Sequence, residues 1–398
     1  MKSGRLLGQV AAAHFVSHVH IMAVPALLPL LPKAMGVGFV ELGVAIAVFN
    51  IVSALVQAPL GFMVDKWGAR RMLMAALSLG ALSFGLLALV PTYHCLLLAM
   101  GAAGLANGVY HPADYALLSQ GTEAKKMGRA FSIHTFAGFL GAASTPPLLV
   151  GVALWLSVSH AFAVATVLAL IALLFLYFYP APAALSSVSP QEVQANRARP
   201  IKIPLKTIAG LTLLFLMLSL STGGLEKFSA AALVEGFDIN LRNANQALTA
   251  FLFASAVGVL SGGILADNTE KHGFLAAIAF AVAAVLVAVL IYVPLVVASL
   301  VVLLGMIGFL TGVVAPSRDM LVRAASPVGA EGRTFGIVST GFNMGGVVGP
   351  LLFGYLLDQQ VAVGVFWAAL GFMLITTALV IAQEFARPPL DKMSRSEA

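Results

Sequence analysis

The sequence predicts an all-α polytopic membrane protein, with twelve transmembrane helices in two pseudo-symmetric six-helix bundles. Three observations lead there. Of the 398 residues, 60% are hydrophobic and 10% charged, against about 25% charged in a soluble protein. Apolar runs of about 18 residues or more, long enough to cross a bilayer, recur along the chain. Residues 101–148 recur without a gap as residues 305–352. The matches include Gly101/Gly305, Gly104/Gly308, Gly108/Gly312, Pro112/Pro316, Gly128/Gly332, Arg129/Arg333, Gly141/Gly345 and Pro146/Pro350. Leu and Val coincide by chance in apolar sequence, whereas each Gly, Pro and Arg carries a backbone or charge role. The repeat therefore reads as two homologous halves. Finally, place both termini in the cytoplasm. Every Lys and Arg except Lys33, Lys227 and Arg242 then falls on the cytoplasmic side or at a helix end facing it, as the positive-inside rule requires.

The helices are placed, to within a few residues, at 6–32, 40–64, 70–92, 94–119, 129–153, 158–180, 205–231, 243–266, 273–294, 296–322, 333–357 and 361–385. Lys2 and Arg5 before the first apolar run look like the start of a signal peptide. The run continues without a small-residue cleavage site, so it reads as a retained first helix. Residues 181–204, with Pro, Ser, Gln and the basic Arg197, Arg199 and Lys202, read as a cytoplasmic linker. It separates an N-terminal bundle, 1–180, from a C-terminal bundle, 205–398. The net charge of +6 is what remains of the loop asymmetry and is no nucleic-acid signal. A single cysteine, Cys95, excludes an internal disulfide and a Cys-based metal site. No Walker loop, GxSxG or other nucleotide or catalytic motif occurs. The expectation is a protein that is not an enzyme and needs no cofactor beyond a proton gradient.

Helix one carries His14 and His18, four apart and on one face. They lie about 14–20 Å along the helix from Arg5, where ionisable groups are costly and usually face a cavity. The HxxxH spacing suits a metal, but no second His box or carboxylate cluster accompanies it in the sequence, so no metal is expected. Between helices two and three stands Gly61-Phe62-Met63-Val64-Asp65-Lys66-Trp67-Gly68-Ala69-Arg70-Arg71. This GxxxD(R/K)xGxRR pattern resembles the signature loop of the major facilitator superfamily. A decayed copy, Gly263-Ile264-Leu265-Ala266-Asp267, stands between helices eight and nine, where that family also places one. With twelve helices and duplicated halves, the resemblance covers essentially the whole chain. It implies the major facilitator fold and a transporter whose halves rock about a midplane site lined by helices one, four, seven and ten. Glycine lets helices approach closely, and Asp65 sits where it can cap a helix or pair with a cation. Gly61, Asp65, Arg70 and Asp267 are read as gate elements. More narrowly, SHVH in helix one, LVQAPLGFMVDK and NGVYHP are similar to the fosmidomycin-resistance branch of drug exporters. That branch commonly places an acid directly after His-Pro, where this chain has Ala113 and then Asp114.

Helix four carries Asn107, Tyr110, His111, Pro112 and Asp114. Asn107, His111 and Asp114 are spaced i, i+4, i+7, on one face, and Pro112 should kink the helix. Helix five begins at Arg129 and contains His134, Phe136, Gly138, Gly141 and Pro146-Pro147. Helix eleven begins at Arg333, is richer in glycine, and carries Asn343. Such spacing gives close packing and a bend. In the second half, Glu226 and Lys227 lie towards the outer end of helix seven, and Arg318 and Asp319 near the inner mouth of helix ten. Arg318 holds the repeat position of Asp114, an opposite-charge pair that would bridge the halves.

The expectation is a secondary active transporter, monomeric in the bacterial inner membrane, that exports a small organic molecule in exchange for protons. Asp114 with His111 would carry the proton, because burial disfavours an ionised carboxylate. His14, His18, Asn107, Tyr110, His134, Phe136, Glu226, Arg318 and Asn343 complete the expected substrate and proton pathway. One alternative is an organic-anion symporter or facilitator, with the histidines and Arg318 as counter-charge. A further one is a membrane-embedded metalloenzyme built on His14 and His18. The gate is expected to pair Asp65 with Arg129 and Asp267 with Arg333.

Overall fold

The structure, a computed structural model, describes residues 2–122, 127–179, 205–269, 271–326 and 331–385. The expected linker, 181–204, lies outside them. Among the described residues, twelve long helices follow one another. They are α1 Lys2–Leu27, α2 Phe39–Trp67, α3 Ala69–Leu89, α4 Tyr93–Gly121, α5 Met127–Thr145 and α6 Val158–Phe178 in the first half. The second half has α7 Leu205–Phe237, α8 Leu241–Asp267, α9 His272–Tyr292, α10 Val297–Ala325, α11 Glu331–Asp358 and α12 Gly364–Phe385. Eleven of these are long and apolar enough to cross a membrane. The remaining one is α4, as long as α2 at 29 residues, whose Asn107, His111 and Asp114 dilute its apolar character. Many large apolar side chains on the perimeter are exposed, among them Leu82, Leu98, Ile171, Ile278 and Val302, as a lipid-facing surface requires.

Three boundaries have clear local causes. α1 ends at Leu27, short of the expected 32. A short helix, Leu31–Met35, then stops at Gly36, whose φ of 68° is left-handed. α5 does not run on evenly after Thr145. Pro146 and Pro147 remove two backbone donors, and the backbone widens into a π turn over Pro146–Val150 before a last α turn, Gly151–Trp155. Between α2 and α3 the connection is one residue, Gly68, at φ 93°. A residue with a Cβ is strained there, so the glycine of the signature loop is what lets α3 start at once.

The sequence repeat has a physical counterpart in packing. Gly104 of α4 lies against the backbone of Phe49 in α2, and its repeat partner Gly308 of α10 lies against Phe251 in α8. A Cβ at either position would overlap a carbonyl oxygen, so these helices meet backbone to backbone.

The halves touch along α2 with α11 and α5 with α8. Call the side carrying the start of α1 the terminal face. On the opposite face Asp358, the last residue of α11, accepts hydrogen bonds from the backbone N–H groups of Phe39 and Val40, both at 2.7 Å. Deeper in, the Asn50 side chain donates to the Gly346 carbonyl at 2.8 Å. One apolar core runs through both halves and takes in Val19–Leu31, Phe39–Phe49 and most of the second half. The terminal ends of the first half, from Leu6, Leu60 and Val64 to Leu118 and Leu176, form a separate core with no member from the second half among the described residues. The seal between halves therefore sits on the face opposite the termini.

Candidate functional site

Three helices of the first half bring their ionisable residues to one place. α1 supplies His14 and His18, α4 supplies His111 and Asp114, and α5 supplies His134. Asp114 is fully buried, and His134 and His14 are 1% and 4% exposed. His134 Nε2 and Asp114 Oδ2 share a hydrogen bond of 3.0 Å. His14 Nδ1 lies 3.4 Å from the same oxygen, within ion-pair reach but without hydrogen-bond geometry. The His14 ring centre is 3.8 Å from that of His134, 4.7 Å from His18 and 5.4 Å from His111. The cluster fits only because residue 138 is glycine. A Cβ there would run into the rings of His14 and His18. Asp114 Oδ1, His14 Nδ1, His134 Nδ1, His111 Nδ1 and the Tyr110 hydroxyl are buried without a hydrogen-bond partner. Buried polar atoms are rarely left so.

Next to the cluster lies a cavity of about 260 Å³ between the halves. His18, Phe139 and Ala142 form its first-half wall. Its second-half wall includes Leu218, Thr222, Ala315 and Arg318, and the last two are the repeat positions of His111 and Asp114. Glu226 also lines it. The Arg318 guanidinium lies over the adjacent rings of Phe215 and Phe342, at 5.1 and 5.2 Å, and pairs with its neighbour Asp319 at 2.7 Å.

A sequence profile described as Major Facilitator Superfamily matches residues 10–238 and 211–397. The chain belongs to that superfamily. Among curated relatives, the fosmidomycin resistance protein of Escherichia coli is 25% identical over 280 residues, 67% of this chain and 66% of that one. The multi-drug resistance efflux pump PmrA of Streptococcus pneumoniae is 26% identical over 85% of this chain and 86% of its own. The probable sulfoacetate transporter SauU of Cupriavidus necator is 25% identical over 89% and 87%. A solved bacterial homologue of the human lysosomal transporter Spinster superposes with a TM-score of 0.77 at 11% identity, covering 96% of this chain and 95% of that one. A major facilitator transporter is a membrane transporter for small molecules, and the cavity between the halves is its candidate route.

The expected site residues divide three ways. His14, His18, Tyr110, His111, Asp114 and His134 come together, and Glu226 and Arg318 face the cavity. Asp114, however, hydrogen-bonds His134 rather than His111, and Arg318 pairs with Asp319 rather than reaching Asp114. Asn107 points away and donates to Ser53 Oγ of α2 at 2.8 Å. Phe136 and Asn343 are exposed and outside the cavity wall. Of the gate residues, Gly61 faces Pro112 of α4, while Asp65, Arg129 and Asp267 are exposed. No ion pair joins Asp65 to Arg129 among the described residues, and the Arg333 side chain lies outside them. Arg70 does something else. It donates to the carbonyls of Leu176 and, at 3.0 Å, Tyr179, tying α3 to the end of α6. Sequence reading missed Asp358 and Asn50, which join the halves. A signal for Asp358 existed, since an acid at a helix C-terminus opposes that helix's dipole.

Proposed function

We propose that the chain is a secondary active transporter that exports a small organic molecule through the cavity between its halves in exchange for protons. The observation that supports this most is the double position of His18. It lines the cavity, and its ring centre stands 4.7 Å from that of His14 in the Asp114 cluster. A proton held between Asp114 and His134 is thus separated from the cavity by two rings, His14 and His18. Loading or losing it changes the charge beside the cavity, and a ligand that binds the two charge states differently is coupled to the proton. The protein works as a monomer in the cell membrane with both termini cytoplasmic, driven by the proton gradient. Asp65, Arg129, Asp267 and Arg333 act on the terminal face when it closes.

The test is transport in sealed vesicles with a pH-sensitive dye and a panel of cationic, neutral and anionic compounds. Wild type should move protons against one class of compound. Asp114→Asn should abolish gradient-driven accumulation yet leave substrate exchange without a gradient. Gradient-driven transport surviving in Asp114→Asn would overturn the proton role, with Glu226 the next carrier to test. Arg318 in the cavity wall favours a second reading, an organic-anion symporter. The name of the Cupriavidus relative, a probable sulfoacetate transporter, points the same way. Under that reading protons and anions enter together, and Arg318→Gln removes the uptake.

A further inference from the structure

We propose that the buried cluster of the first half is a binding site for a divalent transition-metal ion, with His14, Asp114 and His134 as ligands. The sequence offered only the pair His14 and His18 on one helix. The fold adds the missing ligands from two others. His14, Asp114 and His134 each present one ligand atom, and these atoms all lie within 4.8 Å of one another. Two of the separations are 3.0 Å, His134 Nε2 to Asp114 Oδ2, and 3.4 Å, His14 Nδ1 to Asp114 Oδ2. Nitrogen and carboxylate oxygen bind zinc at about 2.0–2.2 Å, which puts neighbouring ligand atoms of a tetrahedral set about 3.3 Å apart. The two atom pairs already sit at that spacing.

Three further observations point to an ion. Two buried imidazoles and one carboxylate make a nitrogen-rich set, which suits zinc, cobalt or nickel and not the all-oxygen preference of magnesium or calcium. Asp114 Oδ1 and the Nδ1 atoms of His14 and His111 are buried without a hydrogen-bond partner. Finally, His18 and His111 stand beside His14 and supply candidates for a fourth ligand. His20 is excluded. It is stacked on Phe84 at 4.4 Å and bonded to the Ala165 carbonyl, which makes it a packing residue.

The site is tested on the purified, untagged full chain in detergent, with Co2+ as the probe and visible absorption as the readout. Neither a gradient nor a substrate is present, so the result is independent of proton coupling. Wild type should bind one Co2+ per chain, with the intense band of a four- or five-coordinate ion, and Zn2+ should displace it. His134→Gln and Asp114→Asn should each weaken binding at least tenfold. His94→Gln, at the exposed far end of α4, should bind as wild type. A gain of signal guards against misfolded variants. His14→Cys in a Cys95→Ser chain should add a thiolate-to-cobalt charge-transfer band in the near ultraviolet, which a collapsed site cannot produce. No saturable binding by wild type would overturn the site. So would unchanged affinity in both ligand variants, or a weak octahedral spectrum.

Discussion

At the scale of single residues, the cluster depends on what is absent as much as on what is present. Gly138 leaves room for two imidazoles, and a methyl group there would overlap His14 and His18. Overpacking of this kind costs about 1–3 kcal/mol, so Gly138→Ala should lower the melting temperature in detergent and reduce transport. Gly263→Ala, with open space around its Cβ, should be neutral or slightly stabilising, since alanine favours a helix. Equal melting temperatures for the two variants would remove the packing argument. The ionisable members of the site were legible in the sequence, because charged or imidazole groups inside apolar helices stand out. Their partners were not. His111 lies three residues before Asp114 and was the natural partner within one helix. The actual partner, His134, is chosen by how α5 is rotated against α4. That rotation depends on side-chain packing along both helices, which no spacing rule contains.

At the scale of elements, α2 borrows its N-terminal cap from another part of the chain. The first turn of a helix exposes backbone N–H groups that need acceptors. For α2 two of them, Phe39 and Val40, are satisfied by Asp358 at the end of α11. Separating the halves on this face therefore uncaps a helix. A cap is worth about 1 kcal/mol, and Asp358 is exposed, so solvent screening keeps the value at the low end. Asp358→Ala should shift a balanced equilibrium up to about fivefold towards opening on this face. The shift is read by labelling a cysteine placed at Thr222, in a Cys95→Ser background, with an impermeant reagent from each side. An unchanged ratio of labelling would leave Asp358 as a loop-ordering residue. The start of α2 near residue 39 was plain from the apolar run, but its end, expected at 64, lies at Trp67, because the polar Asp65 and Lys66 continue the helix up to Gly68. The cap was invisible, because it joins residues more than three hundred positions apart.

At the scale of the whole molecule, the twelve helices, the duplicated halves and the superfamily were all legible. They rest on apolar length and on glycines whose backbone contacts cannot be met by other residues. Which face is sealed was not legible, since the same sequence must support both. Membrane orientation has a direct test. Tags at residue 190 and at the C-terminus should both report the cytoplasm, and a tag at 190 on the other side would require an odd number of spans before it. The repeat also carries a consequence for how the machine cycles. Ala315 and Arg318 hold the repeat positions of His111 and Asp114, and both face the cavity. Copies of one ancestral unit have thus diverged into unlike walls, one bearing His18 and the other Arg318. Two identical walls would give a substrate equivalent routes in and out. Unlike walls instead present a substrate with different groups on its two sides, so the duplicated scaffold holds it in one orientation.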